Sequence, residues 1–411
     1  MPTIRSRRPF LFALLLTGLA AAAWALQPAG PPRLDVASSP GDQLVRGVAV
    51  DGQGVVTLVW SRLTAGGSAN ERTTVMRRFS KTDEPLGPDV VLDGSASSPE
   101  GVVANQRGDC VVVWTRSRLG AGVDVVVRKA GPGLAPVEVV ANGPAAYYRS
   151  SASVAIDQNG DFVAVWSADT PAGLRVFGQR FNPDGSKRGP EFNAATNLTG
   201  SQFQPSVAMN PKTGEFVVVW TVSRTPSPSG RGISGQRFGF LAGRQGGEFQ
   251  VNTQPLGRVA VARVKRAETG NFVVIWTSRR GETASDTHGQ RFDPQGRRLG
   301  SEFVIAEGGA SLPDSSARLA MAPKGNFVVV WGTAMKDGHP ALEGDPVVMA
   351  RSYFRDGTPL GEARDVSPLP GRATAPEVAF GWDGRFVLGV TDSPGFLFEE
   401  DGKVDFQRWL P

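Results

Sequence analysis

A five-residue apolar run that ends on tryptophan returns along the chain. Phe162-Val163-Ala164-Val165-Trp166 is one copy, and each copy opens two residues after a glycine. The tryptophans are Trp60, Trp114, Trp166, Trp220, Trp276 and Trp331, with Val390 at the seventh equivalent position. The glycines stand six residues earlier, at Gly54, Gly108, Gly160, Gly214, Gly270, Gly325 and Gly384. The six intervals between Trp60 and Val390 are nearly equal, with a mean period of about 55. A run with apolar residues on both faces suits a central strand covered on both sides.

Three shorter segments accompany this strand in every copy. In the third copy a first strand around Val154–Asp157 turns through Gln158-Asn159-Gly160 into the apolar run. A third strand is predicted around Phe177-Gly178-Gln179-Arg180-Phe181, followed by a turn at Asn182-Pro183-Asp184-Gly185 and a fourth strand at Glu191-Phe192-Asn193. Glycine, Asn and Asp in those turns admit positive φ at low steric cost. Four antiparallel strands repeated seven times at this period predict an all-β, seven-bladed β-propeller of four-stranded blades. Seven separate domains of that length would each lack a sufficient core.

Small residues in the first strand, Ala49, Ala155, Ala208, Ala320 and Ala379, fit blades converging on an axis; Val103 and Val264 take the place in the other two copies. The last copy ends after Phe406-Gln407-Arg408-Trp409, without a fourth strand, while Arg33-Leu34-Asp35-Val36 precedes the first copy as a fourth strand would. Residues 33–37 are therefore predicted to pair with 404–409 and close the ring, with Arg33 facing Arg408. Arg78 and Asp89, Arg180 and Glu191, Arg237 and Glu248, and Arg291 and Glu302 are each eleven apart, and both charges vanish together in copy six at Ser352 and Ala363. A cross-strand ion pair is the expectation.

Composition narrows the function. Residues 1–25 read as a signal peptide: Arg5, Arg7 and Arg8, an apolar run from Phe10 to Ala23, then Ala23-Trp24-Ala25 as a cleavage site. The expected mature chain, 26–411, is one propeller domain, secreted or periplasmic, soluble and monomeric, with no transmembrane span. Three of the 44 basic residues leave with that leader, so 41 face 39 acidic ones and no nucleic-acid footprint remains. A single cysteine, Cys110, excludes a disulfide framework, and it stands where other copies have Phe162 or Phe216, as a small buried hydrophobe. His288 and His339 have no metal-spaced partners, and Asp157, Asn159 and Asp161 read as a turn rather than a calcium loop. No metal or cofactor is expected.

The wording G-[DNE]-F-V-V-V-W, then G-Q-R-F, then G-x-E-F, as in Gly214–Trp220, Gly235–Phe238 and Gly247–Phe249, resembles repeat arrays in exported bacterial β-propeller proteins of unassigned role. The resemblance covers roughly residues 33–409; it implies a secreted propeller and brings no catalytic residues with it.

Residues that return in every copy belong to the blade, and the tryptophans are read as core rather than as sugar platforms. The variable second-to-third connections, 61–72, 115–124, 167–174, 221–232, 277–287 and 332–346, form one face of the disc, where recognition is expected. Arg62, Arg116, Arg118, Arg224, Arg279 and Arg280 on that face would clamp an anionic group, and Tyr147 with Tyr148 form a paired aromatic platform. Two functions compete. One is a binding or scaffold propeller that recognises a polysaccharide, a cell-surface component or a protein. The other is a carbohydrate-active hydrolase or lyase with loop carboxylates at the channel mouth, catalytic residues unassigned.

Overall fold

A computed structural model describes residues 26–37, 42–63, 72–94, 96–118, 120–223, 231–241, 243–253, 260–280, 284–310, 317–336, 339–340, 345–368, 373–392 and 403–411. The strands form seven antiparallel sheets in which sequence neighbours pair, so each sheet is one blade. Blade three is representative: an inner strand Tyr148–Ile156, then Phe162–Thr170, Gly173–Phe181 and an outer strand Lys187–Asn193. The inner strands of the others are Asp42–Val50, Ser97–Ala104, Ser201–Met209, Ala260–Arg266, Arg318–Met321 and Ala373–Phe380.

Each apolar second strand divides its side chains between two cores. Val163 and Val165 pack with Val207, Phe216 and Trp220 of blade four, while Phe162, Ala164 and Trp166 pack with Val111, Val113 and Val125 of blade two. Seven such clusters occur, one at each junction between neighbouring blades. The tryptophan faces the preceding blade and is sealed there; Trp60, Trp114, Trp166 and Trp220 are 0 % exposed. A sugar platform is ruled out by that burial. Cys110 is also buried in its junction, and burial pushes its thiol up to about 11.

The third and fourth strands explain why G-Q-R-F and G-x-E-F travel together. Gly178, Gly235 and Gly289 lie opposite Phe192, Phe249 and Phe303. A Cβ on these glycines would stand 2.5–2.6 Å from the phenylalanine ring, so the ring lies flat over the glycine. In blade six, where the phenylalanine becomes Arg364, its partner is Ala350. The glutamine between them donates from Nε2 to a glycine carbonyl of the outer strand, as Gln179 does to Gly189 at 2.9 Å and Gln236 to Gly246 at 3.1 Å.

The expected cross-strand ion pairs do not form; both charges reach outward to neighbouring blades instead. Arg180 lies 4.5 Å over the Phe192 ring and 5.3 Å from that of Phe216 in blade four, and Arg237 donates to the Pro294 carbonyl in blade five's outer turn at 3.0 Å. Asp89 instead lies 3.7 Å from both Arg62 and Arg77, while Arg78 reaches Asp51 at 3.6 Å. The glutamates turn the other way. Glu191 accepts from the Gly143 N–H at 2.9 Å, Glu248 from Thr196 and Asn197, and Glu302 from Thr253, each in the preceding blade-to-blade connection. In blade six, where Ser352 and Ala363 take those places, the hairpin instead brings Arg351 to 3.8 Å from Glu362.

The first segment lies along the last strand and closes the ring, with Arg33 two residues away from its expected partner. Gln27 and Pro28 pair with Leu410 and Trp409, and Arg33 exchanges backbone hydrogen bonds with Phe406. Gln407 Nε2 donates to the Gly30 carbonyl at 3.0 Å, the bond that Gln179 and Gln236 make within their own blades. Arg33 therefore faces Phe406 rather than Arg408. Neither arginine repels the other: Arg33 pairs with Glu84 at 2.7 Å and Arg408 with Asp83 at 2.6 Å, both in blade one.

The short turns between first and second strands are set by one side chain. Asp157 Oδ1 accepts the Asn159 and Asp161 backbone N–H groups at 2.8 and 3.0 Å, with Gly160 at φ +89° completing the turn. This is an Asx turn, and it occupies the carboxylate a calcium loop would need. Asn105 does the same for Arg107 and Asp109, while its Nδ2 donates to the Asp157 carbonyl of the next blade at 3.0 Å.

Replacing Trp220 by Ala removes a ring from a sealed junction with no water to fill the space. The expected loss is about 3–5 kcal/mol, read by denaturant unfolding. Deleting residues 26–36 exposes the edge at Lys403–Leu410; the shortened chain is expected to melt at lower temperature and to aggregate, measured by scanning calorimetry and light scattering.

Candidate functional site

The inner strands surround a cavity of about 550 Å³ on the disc axis, lined from all seven blades. In five blades the inner strand carries one extra residue beside the tryptophan position, a β-bulge: Arg46 and Glu100 are the added residues in blades one and two, and the register shifts between Ser150 and Ser153, Phe203 and Ser206, and Thr374 and Glu377. Bulges re-aim side chains out of the pleat. Three of these segments hold a non-glycine residue at positive φ: Ser151 at 55°, Gln204 at 53° and Ala375 at 45°.

The register then places unlike residues at one level. Opposite the second-strand residue before each tryptophan position stand Gly47, Gly101, Ser153 and Ser206 in blades one to four, but Arg263, Arg318 and Glu377 in blades five to seven. Two residues further along, Ala49, Val103, Ala155, Ala208, Ala320 and Ala379 share a level with Lys265. Val264, expected in that series, sits one residue off and packs in the junction core with Val274 and Trp276. A Cβ on Gly47 would stand 2.9 Å from the Val102 side chain, so that glycine lets the inner strands of blades one and two approach, whereas Gly101 faces open space.

Four cations and two carboxylates share this space. Arg318 Nε holds Glu377 at 2.6 Å. Burial pushes the Glu100 carboxyl up to about 7, against the opposing pull of Arg46, the Ser151 backbone N–H and Arg263. Burial pulls the Arg263 guanidinium down to about 10, with Arg318 adding to the shift, and Lys265 is lowered by burial and by Arg263. These side chains keep a narrow opening to the channel while protein surrounds them on every side, so their surface is not dry but their dielectric surroundings are those of an interior. Among the described residues neither Arg263 nor Lys265 has a carboxylate within ion-pair distance; the one side-chain hydrogen bond of Arg263 goes to the adjacent Ala262 carbonyl at 3.0 Å.

Among the described residues, none of the arginines and tyrosines expected to bind a ligand lines this cavity. Blade three's connection is a tight hairpin between Thr170 and Gly173, and Arg116 and Arg118 fall on the strand Cys110–Arg118. Arg62 lies 3.7 Å from Asp89, Arg116 pairs with Asp93 and with Glu138 at 2.7 Å, and Arg118 pairs with Asp124 at 3.2 Å. An incoming anion would have to displace each of those carboxylates. Arg279 and Arg280 sit on Phe272–Arg280 opposite Ser285 and Ala284; their side chains, and Arg224 entirely, lie outside the described residues. Tyr147 is half-buried beneath the Arg149 guanidinium, 5.6 Å from its ring centre, while Tyr148 is 65 % exposed. His288 is half-buried and stacks on Trp276; among the described residues no group of three His, Cys, Asp or Glu could hold a metal.

No protein-family model matches the chain, and no curated protein matches it by sequence. Solved structures share its fold at low identity. A puromycin hydrolase is 16 % identical at a TM-score of 0.50, covering 92 % of this chain but 54 % of its own, so the chain spans about half of that protein. An α-L-arabinanase from Penicillium chrysogenum, solved with arabinobiose, is 13 % identical over 73 % of this chain and 89 % of its own, TM-score 0.47. The Hadza microbial sialidase Hz136 is 11 % identical over 83 % and 74 %, TM-score 0.47. These neighbours are propeller glycoside hydrolases in the last two cases, and the likeness is one of fold.

Glu100 generates a pH dependence of known sign. Its carboxyl titrates near 7 in the fold against 4.5 in the open chain. The folded state therefore binds this proton more readily; the contribution to stability is complete below pH 4.5 and is lost as pH rises through 7. Glu100→Gln removes that dependence, so the variant gains on the parent between pH 5 and 8, as measured by unfolding midpoints across that range.

Proposed function

We propose that the chain is an exported binding propeller of the extracellular space or periplasm, which takes a polysaccharide or other cell-surface glycan at its central channel. One observation carries this reading: the inner-strand level where the repeat demands small residues is where Arg263, Lys265, Arg318 and Glu377 depart from it. A repeat that needed only to close its ring would keep small or apolar residues there, as blades one to four do with glycine, serine, alanine and Val103. A cavity of about 550 Å³ lies within the ~300–1,000 Å³ of small-ligand sites. The leader-like segment 1–25 supports export.

The alternative, a carbohydrate-active hydrolase or lyase, is favoured by Glu100. A carboxyl pushed up to about 7 inside a channel is suited to donate a proton at neutral pH, and Glu377 supplies a second carboxyl group, held by Arg318. The acids in question stand on inner strands, not on the loops.

A glycan array with the mature chain, followed by product analysis on every glycan retained, separates the two. Retention without product is the expected outcome; product that vanishes in Glu100→Gln while retention persists would install the enzyme reading in its place.

A further inference from the structure

We infer that the channel recognises the carboxylate of an acidic sugar, gripped between Arg263 and Lys265 of blade five, with the sugar hydroxyls against the adjoining wall of blades three and four. This deepens the binding reading above and rests on it.

The cations of the channel are not equivalent. Arg318 is satisfied by Glu377 at 2.6 Å, and Arg46 shares its end of the channel with Glu100, on which it acts directly. Arg263 and Lys265 belong to one strand, two residues apart, and point into one cavity. Two neighbouring cations in a low-dielectric enclosure repel each other and lose hydration, and a fold selected for packing alone would replace one with alanine. Six other blades have Ala or Val at the level of Lys265. Glu377 and Glu100 pull on Arg263, and Glu377 on Lys265, from beyond ion-pair distance; an anion entering between the two cations adds a counter-charge in direct contact. A planar guanidinium beside a pointed ammonium matches a planar carboxylate, which can take two parallel hydrogen bonds from the one and an ion pair from the other.

The adjoining wall is uncharged and polar. Ser153 Oγ accepts the Val207 N–H at 3.3 Å and Ser206 Oγ accepts the Val264 N–H at 3.2 Å, which fixes both oxygens and leaves each hydroxyl proton to donate. Ser151 and Gln204 also line the cavity and are held at positive φ, a strained geometry of the kind that collects at ligand sites. A wall of fixed hydroxyls and an amide beside two cations suits a ligand that carries one acid group among several hydroxyls.

The test uses the mature chain and calorimetric titration with oligomers of galacturonate, glucuronate and mannuronate, each beside the same oligomer after carboxyl reduction and beside a sulfated neutral oligomer. The expected result is that at least one uronate binds about tenfold or more tightly than both its reduced and its sulfated counterparts. Arg263→Gln and Lys265→Met each remove that preference. Arg297→Ala, an exposed arginine of blade five's outer turn, keeps it. Thermal melting guards against misfolding: relieving like-charge repulsion leaves both channel variants with an unchanged or higher midpoint, which a merely structural role for these cations would not give. If reduced oligomers bind as well as the acids, or if both variants keep the preference, the carboxylate assignment falls while glycan binding stands. A sulfated oligomer preferred over every uronate overturns the assignment as well. If no acidic or neutral glycan is retained, both readings fall.

Discussion

A four-stranded sheet that is apolar on both faces has to be covered on both faces, and this chain provides no helix or second layer to do it among its described residues. Only another blade can cover a blade. The second strand of every sheet divides its side chains between two junctions, as Val163 and Trp166 do, and each junction needs a sheet on either side. An open row of such sheets would leave two faces bare at its ends; a ring leaves none. Closure is thus a condition on every blade, and the segment from Leu26 to Ala37 meets it by lying along the last sheet.

The charged residues of the outer hairpins extend the same constraint. A ring of flat junctions could shear, and the Arg and Glu of the repeated outer hairpin each take hold of a neighbour, in opposite directions around the disc. Arg237 grips the turn ahead at Pro294; Glu248 caps the connection behind at Thr196. At the seam between the chain ends both Arg408 and Arg33 reach one way, to Asp83 and Glu84 of blade one. Exposed ion pairs contribute little individually. Their value here is geometric, since each one sets the tilt of one blade on the next.

Ring closure also creates a place where all seven copies meet. Side chains there face several non-identical neighbours at close range, so the repeat rule that governs the junctions stops applying. At one level glycine and serine stand in blades one to four, and arginine or glutamate in blades five to seven. Burial then moves Glu100 up and Arg263 down. Burial on an axis enclosed by seven blades disfavours the charged form of each group, and for Glu100 the arginines Arg46 and Arg263 counter that shift without cancelling it.

Much of the architecture was legible in the chain: seven copies, four strands each, tryptophans in the core, Cys110 as a buried hydrophobe, and a first segment that completes the last blade. Those features are local or periodic, and a period repeated seven times reports its own packing rule. The partners of Arg180 and Glu191 were not legible, because spacing along a hairpin shows who is opposite but not that both side chains point off the sheet toward other blades. The two-residue slip at Arg33 has a similar origin: Pro31 and Pro32 lie between the Gly30 and Arg33 contacts with the last strand, and that irregularity has no counterpart within the repeat. The channel charges did leave a signal, since Lys265 stands in a column of alanines. Hydrophobicity alone favours Val264 for that place, whereas pleat direction gives it to Lys265. What the sequence determined by itself was the blade, which depends on contacts within one copy and between like neighbours. What only the tertiary structure decided was which residues from blades far apart in the chain share the axis, because that follows from closing the ring and not from any property of a strand.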